Sequence, residues 1–102
     1  MPARPRAMSV ATAAVLRAVI QGASYGFDIM DATGLPSGTV YPILSRLEER
    51  ALLTSRWEDP AAEREAGRPP RRYYRITAVG REELQEAVER FRALGHPLPE
   101  AS

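Results

Sequence analysis

The 102-residue sequence contains no cysteine and only one histidine, His96. All 14 of its basic side chains are arginine, so lysine is absent as well. Without cysteine there are no disulfides, no thiolate nucleophiles and none of the commonest structural zinc sites. Without lysine, and with its one histidine near the C-terminal end, the chain also lacks the usual catalytic bases and clustered metal ligands. We therefore expect neither an enzyme nor a bound metal or other cofactor.

Long apolar runs are missing too. No segment approaches the roughly 18 consecutive apolar residues that a membrane-spanning helix needs. Residues 1–6 are not followed by the uninterrupted apolar segment of a signal peptide. The sequence therefore predicts a cytoplasmic protein without a membrane partner.

Neither sign of charge is in excess, because the formal net charge is only +1. Such a protein does not bind polyanions through bulk charge. Its exclusive use of arginine favours planar, bidentate contacts to phosphate or guanine. A GC-rich coding sequence would produce the same bias without any functional cause, and composition does not separate the two explanations.

A hydrophobic share of 44% and a charged share of 26% are typical of one small globular domain. The order of helical and alternating segments predicts an α+β fold that is mostly helical. A chain of this length buries a modest core, so association with a second copy would add buried area.

The most informative stretch is residues 35–50. Its apolar residues recur at helical spacing and form one narrow stripe: Val40, Ile43, Leu44 and Leu47. The opposite face carries small or hydrogen-bonding residues instead of the Glu, Lys and Gln of a solvated helix: Gly38, Thr39, Tyr41, Pro42, Ser45 and Arg46. Such a face suits a DNA groove, and an ordinary surface helix is the alternative. Pro42 tests the helix, because its ring approaches the carbonyl of Gly38, whose backbone adjusts more freely than most.

Two shorter helices are predicted before this stretch. Residues 1–8 show no periodicity and are expected to form a flexible tail. A first helix begins after the cap Ser9 and ends at Gly22, and a second begins after the cap Ser24 and ends at Gly34. Because only a tight turn separates the second helix from the stretch that follows, the pair is predicted to be a helix-turn-helix.

A two-stranded wing is predicted next. Residues 52–58 and 71–77 alternate as strands do, and residues 59–70 form the loop between them. Positive charge is concentrated near the return of this loop, on Arg68, Arg71 and Arg72. Trp57, the only tryptophan, lies on the first strand and is expected in the core.

A final helix is predicted from the cap Thr77 to about Leu94. Its apolar stripe includes Leu84, Val88 and Phe91. Docking of this stripe on a second copy is the favoured interpretation, and folding back on its own domain is the alternative. The predicted organisation is a flexible tail (1–8), a winged helix DNA-binding domain (9–76), a dimerisation helix (77–95) and a C-terminal tail (96–102).

The sequence of these elements resembles the PadR family of transcriptional regulators. The matching segments occur in the family's order and are SYGFDI at 24–29, LPSGTVYP at 35–42, RLE at 46–48, SRWE at 55–58 and GRPPRRYYRIT at 67–77. The resemblance implies a bacterial dimeric repressor that binds double-stranded DNA. It also implies that the third helix lies in the major groove, that the wing lies beside the DNA backbone and that the final helix forms the homodimer.

Carried over by position, the resemblance implies a DNA-binding set on the recognition helix and the wing: Ser37, Thr39, Tyr41, Pro42, Arg46, Arg68, Arg71 and Arg72. The dimerisation residues would be Leu84, Val88 and Phe91. Acidic residues near the wing offset its arginines: Glu58, Asp59, Glu63 and Glu65.

A sequence-specific repressor acting as a homodimer on a pseudo-palindromic operator is the favoured function. A winged helix that binds another protein instead of reading DNA is the competing one. The final helix lacks the tryptophan with which some short relatives bind flat hydrophobic drugs. The sequence therefore leaves a small-molecule inducer open without giving it a site.

Overall fold

The computed structural model describes residues 8–98, except for the side chains of residues 62, 63 and 66. The predicted N-terminal tail lies outside the described residues apart from its last position, and so do residues 99–102 of the predicted C-terminal tail. None of the helices in the described range is long and apolar enough to cross a membrane.

Helices and strands alternate along the chain in the order of a winged helix. They are α1 (Val10–Ile20), α2 (Gly26–Thr33), α3 (Ser37–Glu49), β1 (Leu53–Trp57), α4 (Pro60–Ala66), β2 (Arg72–Ile76) and α5 (Ala78–Ala93). The two strands are antiparallel, with a register that runs from Leu53 opposite Ile76 to Trp57 opposite Arg72. The predicted mostly helical α+β class, with a helix-turn-helix and a two-stranded wing, is confirmed.

Three of the predicted helix ends are confirmed by their hydrogen bonds. Ser9 caps α1, because its Oγ accepts the N–H of Thr12 at 3.1 Å. Thr77 caps α5 in the same way, accepting the N–H of Gly80 at 3.0 Å. Gly34 ends α2 in the left-handed conformation (φ +73°) that favours glycine.

The predicted cap of α2 was wrong by one residue. The cap position is Tyr25, and no side chain caps this helix. Ser24 lies in extended chain because its carbonyl accepts the N–H of Tyr74 at 2.7 Å, while Tyr25 forms a β-bridge with Tyr73. Pairing with β2 therefore extends this segment before the helix begins, and local sequence does not show that pairing.

The predicted loop at residues 59–70 contains the short helix α4, which local sequence reasoning missed. Pro60 begins this helix, where proline's fixed φ is favourable and its missing N–H is not needed. Asp59 precedes it and accepts the N–H of Ala61 at 2.8 Å. The signal was present in the Asp-Pro pair followed by alanines and charged residues, but it resembles the composition of a loop.

The hydrophobic core lies between α1, α3, the sheet and α5. The predicted α3 stripe is confirmed, since Val40, Ile43, Leu44 and Leu47 are all buried. On α5, Leu84, Ala87 and Phe91 belong to the same core, and Val88 packs against it partly buried. The α5 stripe thus packs on its own domain, which is the alternative interpretation. The hydrophobic periodicity of α5 accordingly carries no information about a second copy.

Candidate nucleic-acid interface

The exposed face of α3 is continuous from its first turn to its last. Ser37, Gly38, Tyr41, Pro42, Ser45 and Arg46 are exposed, and Thr39 is half-buried. The helix continues through Pro42, and the space around Gly38 is open. A surface with such small side chains lets another molecule approach the helix backbone closely.

Tyr41 is held on this face by the start of α2. The residue is 48% exposed, and its hydroxyl end lies directly over the backbone of Gly26. Any Cβ at position 26 would overlap the phenol ring. The glycine therefore determines where Tyr41 points.

Arg72 ties the wing to α3 through Glu48 and Ser55. Its Nη2 lies 2.9 Å from Oε2 of Glu48, and its Nε donates to Oγ of Ser55 at 2.9 Å. Ser55 in turn donates to Glu48 at 2.7 Å. The Arg72 guanidinium also lies 5.6 Å from the ring centroid of Trp57 and 5.9 Å from that of Tyr74. This arginine thus has protein partners on several sides.

Arg68 is bound to Glu58, the residue that follows β1, by two parallel hydrogen bonds. Nη1 and Nη2 each lie 2.7 Å from a different carboxylate oxygen. Oε2 of Glu58 also accepts the backbone N–H of Arg71 at 3.2 Å. The hydrogen bonds from Arg68 are the main cause that lowers the pKa of Glu58 to about 2, with the Arg71 N–H adding to it.

Arg71 differs from its two neighbours. Its guanidinium lies 4.1 Å from the ring centroid of Tyr25, and the Tyr25 ring meets Tyr73 edge to face with centroids 5.9 Å apart. Among the described side chains, no carboxylate forms an ion pair with Arg71. Of the three predicted wing arginines, it is the one that forms no direct ion pair with a described carboxylate.

These elements border one cleft of about 640 Å³. The α3 residues that line it are Tyr41 and Ser45, and the wing residues are Trp57, Arg68, Arg71 and Arg72. The structure thus brings part of the predicted DNA-binding set together around this cleft. The predicted dimerisation residues Leu84 and Phe91 do not join it, because they are buried in the core.

Trp57 was expected in the core, and that expectation was wrong, because the side chain is 60% exposed. Along β1, burial decreases from Leu53 through Ser55 to Trp57, since the strand extends past the core. Phe27 is another residue of the cleft that sequence reasoning missed as a surface group, with 71% of it exposed. The sequence gave no signal of this exposure, because Phe27 lies close to the apolar residues Ile29 and Met30 in α2.

Residues 15–86 match the model of the transcriptional regulator PadR-like family. The chain belongs to the PadR-like family of transcriptional regulators. This confirms the resemblance drawn from the sequence. No curated protein matches the chain. Among the side chains that the structure describes, no group of three or more His, Cys, Asp or Glu could hold a metal ion.

Solved structures of PadR regulators share this fold. One is a PadR family regulator from Clostridium difficile R20291, with a TM-score of 0.73 and 23% identity, covering 85% of this chain and 92% of the other. A second is a PadR-like transcription factor from Bacteroides fragilis, with a TM-score of 0.69 and 26% identity, covering 82% of each chain.

A third structure is similar over only part of its length. It is BpsR of Bordetella bronchiseptica, a protein whose DNA binding is regulated by 6-hydroxynicotinic acid. The TM-score is 0.72 and the identity 25%, and the match covers 88% of this chain but 60% of BpsR.

Proposed function

We propose that this PadR-like protein is a sequence-specific DNA-binding repressor that acts as a homodimer on a pseudo-palindromic operator. One observation carries the proposal. Tyr41 and Ser45 of the exposed α3 face border the same cleft as Arg71 of the wing, which forms no ion pair among the described side chains. A helix that reads base edges beside a cation that neutralises phosphate is the arrangement that duplex DNA requires.

The α3 face supplies the groups that contact bases. Arg46 is exposed and forms no ion pair among the described side chains, so its guanidinium is available for two hydrogen bonds to guanine. Ser37, Thr39 and Tyr41 offer hydroxyls, and Pro42 offers an apolar surface for a thymine methyl group.

The wing supplies the phosphate contact, and the proposal assigns it to Arg71. Arg68 and Arg72 were also expected to contact phosphates. Both are bound to carboxylates of this chain, Glu58 and Glu48. A phosphate would have to displace those partners, so we assign the two a supporting role.

The homodimer remains a proposal, on a surface revised from the predicted one. Leu84 and Phe91 are buried in the monomer, so they are not free to contact a second copy. Leu94 follows Ala87 by seven residues and therefore continues the same side of α5, yet 66% of it is exposed. The end of α5 thus carries apolar surface that its own domain does not cover.

Selection of duplex DNA from a random pool by the purified protein tests the proposal. We expect a two-fold related motif whose half-sites are about 34–36 Å apart. Arg46→Ala should relax the base preference at one base pair of each half-site. The discrimination against other bases should fall there by about 1–3 kcal/mol. Arg92→Ala, which removes an exposed arginine of α5, is the control and should select the native motif. Failure of the native protein to enrich any motif would favour the competing protein-binding function.

A further inference from the structure

We propose that Glu58 and Arg68 form a latch that positions Arg71 for the DNA backbone, so that Arg68 acts through Arg71 and does not itself contact DNA. The inference rests on the proposed function. It concerns a residue that charge alone would assign to direct phosphate binding.

Both charged groups of the latch are fully paired with each other. Each outer nitrogen of Arg68 has its own oxygen of Glu58, at 2.7 Å, which is the parallel geometry of a strong charge-assisted pair. The Glu58 side chain is only 9% exposed and that of Arg68 29%. The Glu58 carboxylate is therefore mostly covered, and the partly exposed Arg68 guanidinium is already paired with it.

The same carboxylate connects the latch to Arg71. Its Oε2 accepts the Arg71 N–H at 3.2 Å, while the backbone N–H of Glu58 donates to the Arg71 carbonyl at 2.7 Å. Both the N–H and the carbonyl of Arg71 are therefore hydrogen-bonded to Glu58, at the point where the chain returns from the loop into β2.

The fixed backbone directs the Arg71 side chain over Tyr25, which precedes α2. Tyr25 is itself bridged to β2 through Tyr73. The latch thus sets the position of a cation relative to the helix-turn-helix, and hence relative to the DNA that α3 would contact. Loss of the Glu58–Arg68 pair would leave the number of phosphate contacts unchanged. Each contact would be weaker, because Arg71 would be less well positioned.

Glu58→Ala distinguishes direct phosphate contact by Arg68 from a positioning role, because the two roles predict opposite changes in DNA affinity. If Arg68 contacted phosphate, removing the competing carboxylate would free it and increase both DNA affinity and salt dependence. The latch gives the opposite result, because Arg71 loses its support. We expect Glu58→Ala and Arg68→Ala each to weaken binding about tenfold, and the double variant to be no worse than either single one, since both remove the same unit.

The salt dependence of DNA binding gives a second readout. It changes when a phosphate contact is lost and stays the same when a side chain only supports a neighbouring residue. Binding of the selected duplex, followed by fluorescence anisotropy between about 50 and 200 mM NaCl, yields the slope of log affinity against log salt. Arg71→Ala should reduce its steepness by about 0.9 per subunit, whereas Arg68→Ala should leave it unchanged. Arg75→Ala is the matched control, because Arg75 is an exposed arginine of β2 that does not line the α3 cleft, and it should change neither slope nor affinity.

Hydrogen exchange without DNA distinguishes a failure of the latch from a failure of the proposed function. The Arg71 amide should exchange faster in Glu58→Ala and Arg68→Ala than in the native protein or in Arg75→Ala, while the core amides of α1 and α3 keep their native protection. Faster exchange without any DNA binding by the native protein would overturn the DNA role. Unchanged exchange, tighter binding by Glu58→Ala, or a shallower salt slope for Arg68→Ala would each overturn the latch.

Discussion

At the residue scale, Gly80 shows how one position fixes the approach of a helix to the sheet. A Cβ there would overlap the carbonyl oxygen of Leu52 and the side chain of Ile76. Thr77 reinforces this junction, because its hydroxyl caps α5 and also lies 2.8 Å from the carbonyl oxygen of Ala51. The start of α5 is therefore held directly against the beginning of β1.

We expect Gly80→Ala to destabilise the protein. Alanine favours a helix over glycine by up to about 1 kcal/mol, but overpacking costs about 1–3 kcal/mol, and a backbone carbonyl cannot rotate away as a side chain can. Thermal unfolding followed by circular dichroism should show a melting temperature lowered by about 5 °C or more. Gly38→Ala is the control, since its Cβ meets nothing within 4 Å, and should not lower it. An unchanged melting temperature for Gly80→Ala would contradict the close approach.

Glu58 makes the wing sensitive to acid. The pKa of this carboxyl falls from 4.5 to about 2 on folding, mainly through the Arg68 hydrogen bonds. A lowered pKa favours the folded wing above pH 4.5, and this contribution is lost as the pH falls from 4.5 toward 2. Protection of the Arg71 amide from hydrogen exchange should therefore decrease over that window.

Glu58→Gln should remove this pH dependence, because an amide does not titrate. Glu83→Gln is the matched control, because it also replaces a carboxylate that is paired with an arginine. Glu83 pairs with Arg50 at 3.1 Å on a more exposed surface, where such pairs contribute little. If the native protein and Glu58→Gln lose Arg71 protection in parallel, the carboxylate is not the titrating group.

At the scale of elements, the order of α1, α2, α3, the wing and α5 could be predicted because each is determined by short-range signals. Apolar spacing located the α3 stripe, and Ser9 and Thr77 marked helix starts by side chains that cap their own backbone. The incorrect predictions fell on residues whose conformation or burial depends on segments distant in the sequence. Ser24 is extended because of β2, and Trp57 is exposed because β1 extends past the core.

The junction of α2 and α3 gives a prediction at this scale. Gly26→Ala should displace the Tyr41 ring, because the methyl group would overlap it. Since the end of a tyrosine side chain can rotate, the loss of stability should be small, below about 1 kcal/mol. Affinity for the selected duplex should fall, as measured by anisotropy, if Tyr41 contacts DNA. Equal affinities of Gly26→Ala, Tyr41→Ala and the native protein would remove Tyr41 from the interface.

At the scale of the whole molecule, the sequence predicts which side chains the interface contains. It predicts less well which of them form ion pairs with each other. The α3 face follows from helical periodicity alone. The separation of Arg71 from Arg68 and Arg72 does not, since all three lie within one basic segment. Their difference arises from where Glu58 and Glu48 are placed by the sheet register and by the packing of α3 against β1. These are contacts between residues 10 or more apart in the chain.

The oligomeric state gives the last prediction. Phe91 is only 8% exposed and belongs to the monomer core, so a charge there should unfold the protein before it reports on association. Leu94 is the suitable position, because its exposed side chain extends the α5 stripe beyond its own core. We expect light scattering to show a native dimer at micromolar concentration and a folded monomer for Leu94→Glu.

Phe27→Glu is the matched control, since Phe27 is an equally exposed apolar side chain that borders the α3 cleft instead. It should remain dimeric. In the monomeric Leu94→Glu, affinity for a single half-site should be retained while affinity for the full operator falls, because the second recognition helix no longer binds as part of the same molecule. A native protein that is monomeric, or a Leu94→Glu variant that stays dimeric, would contradict association through the end of α5.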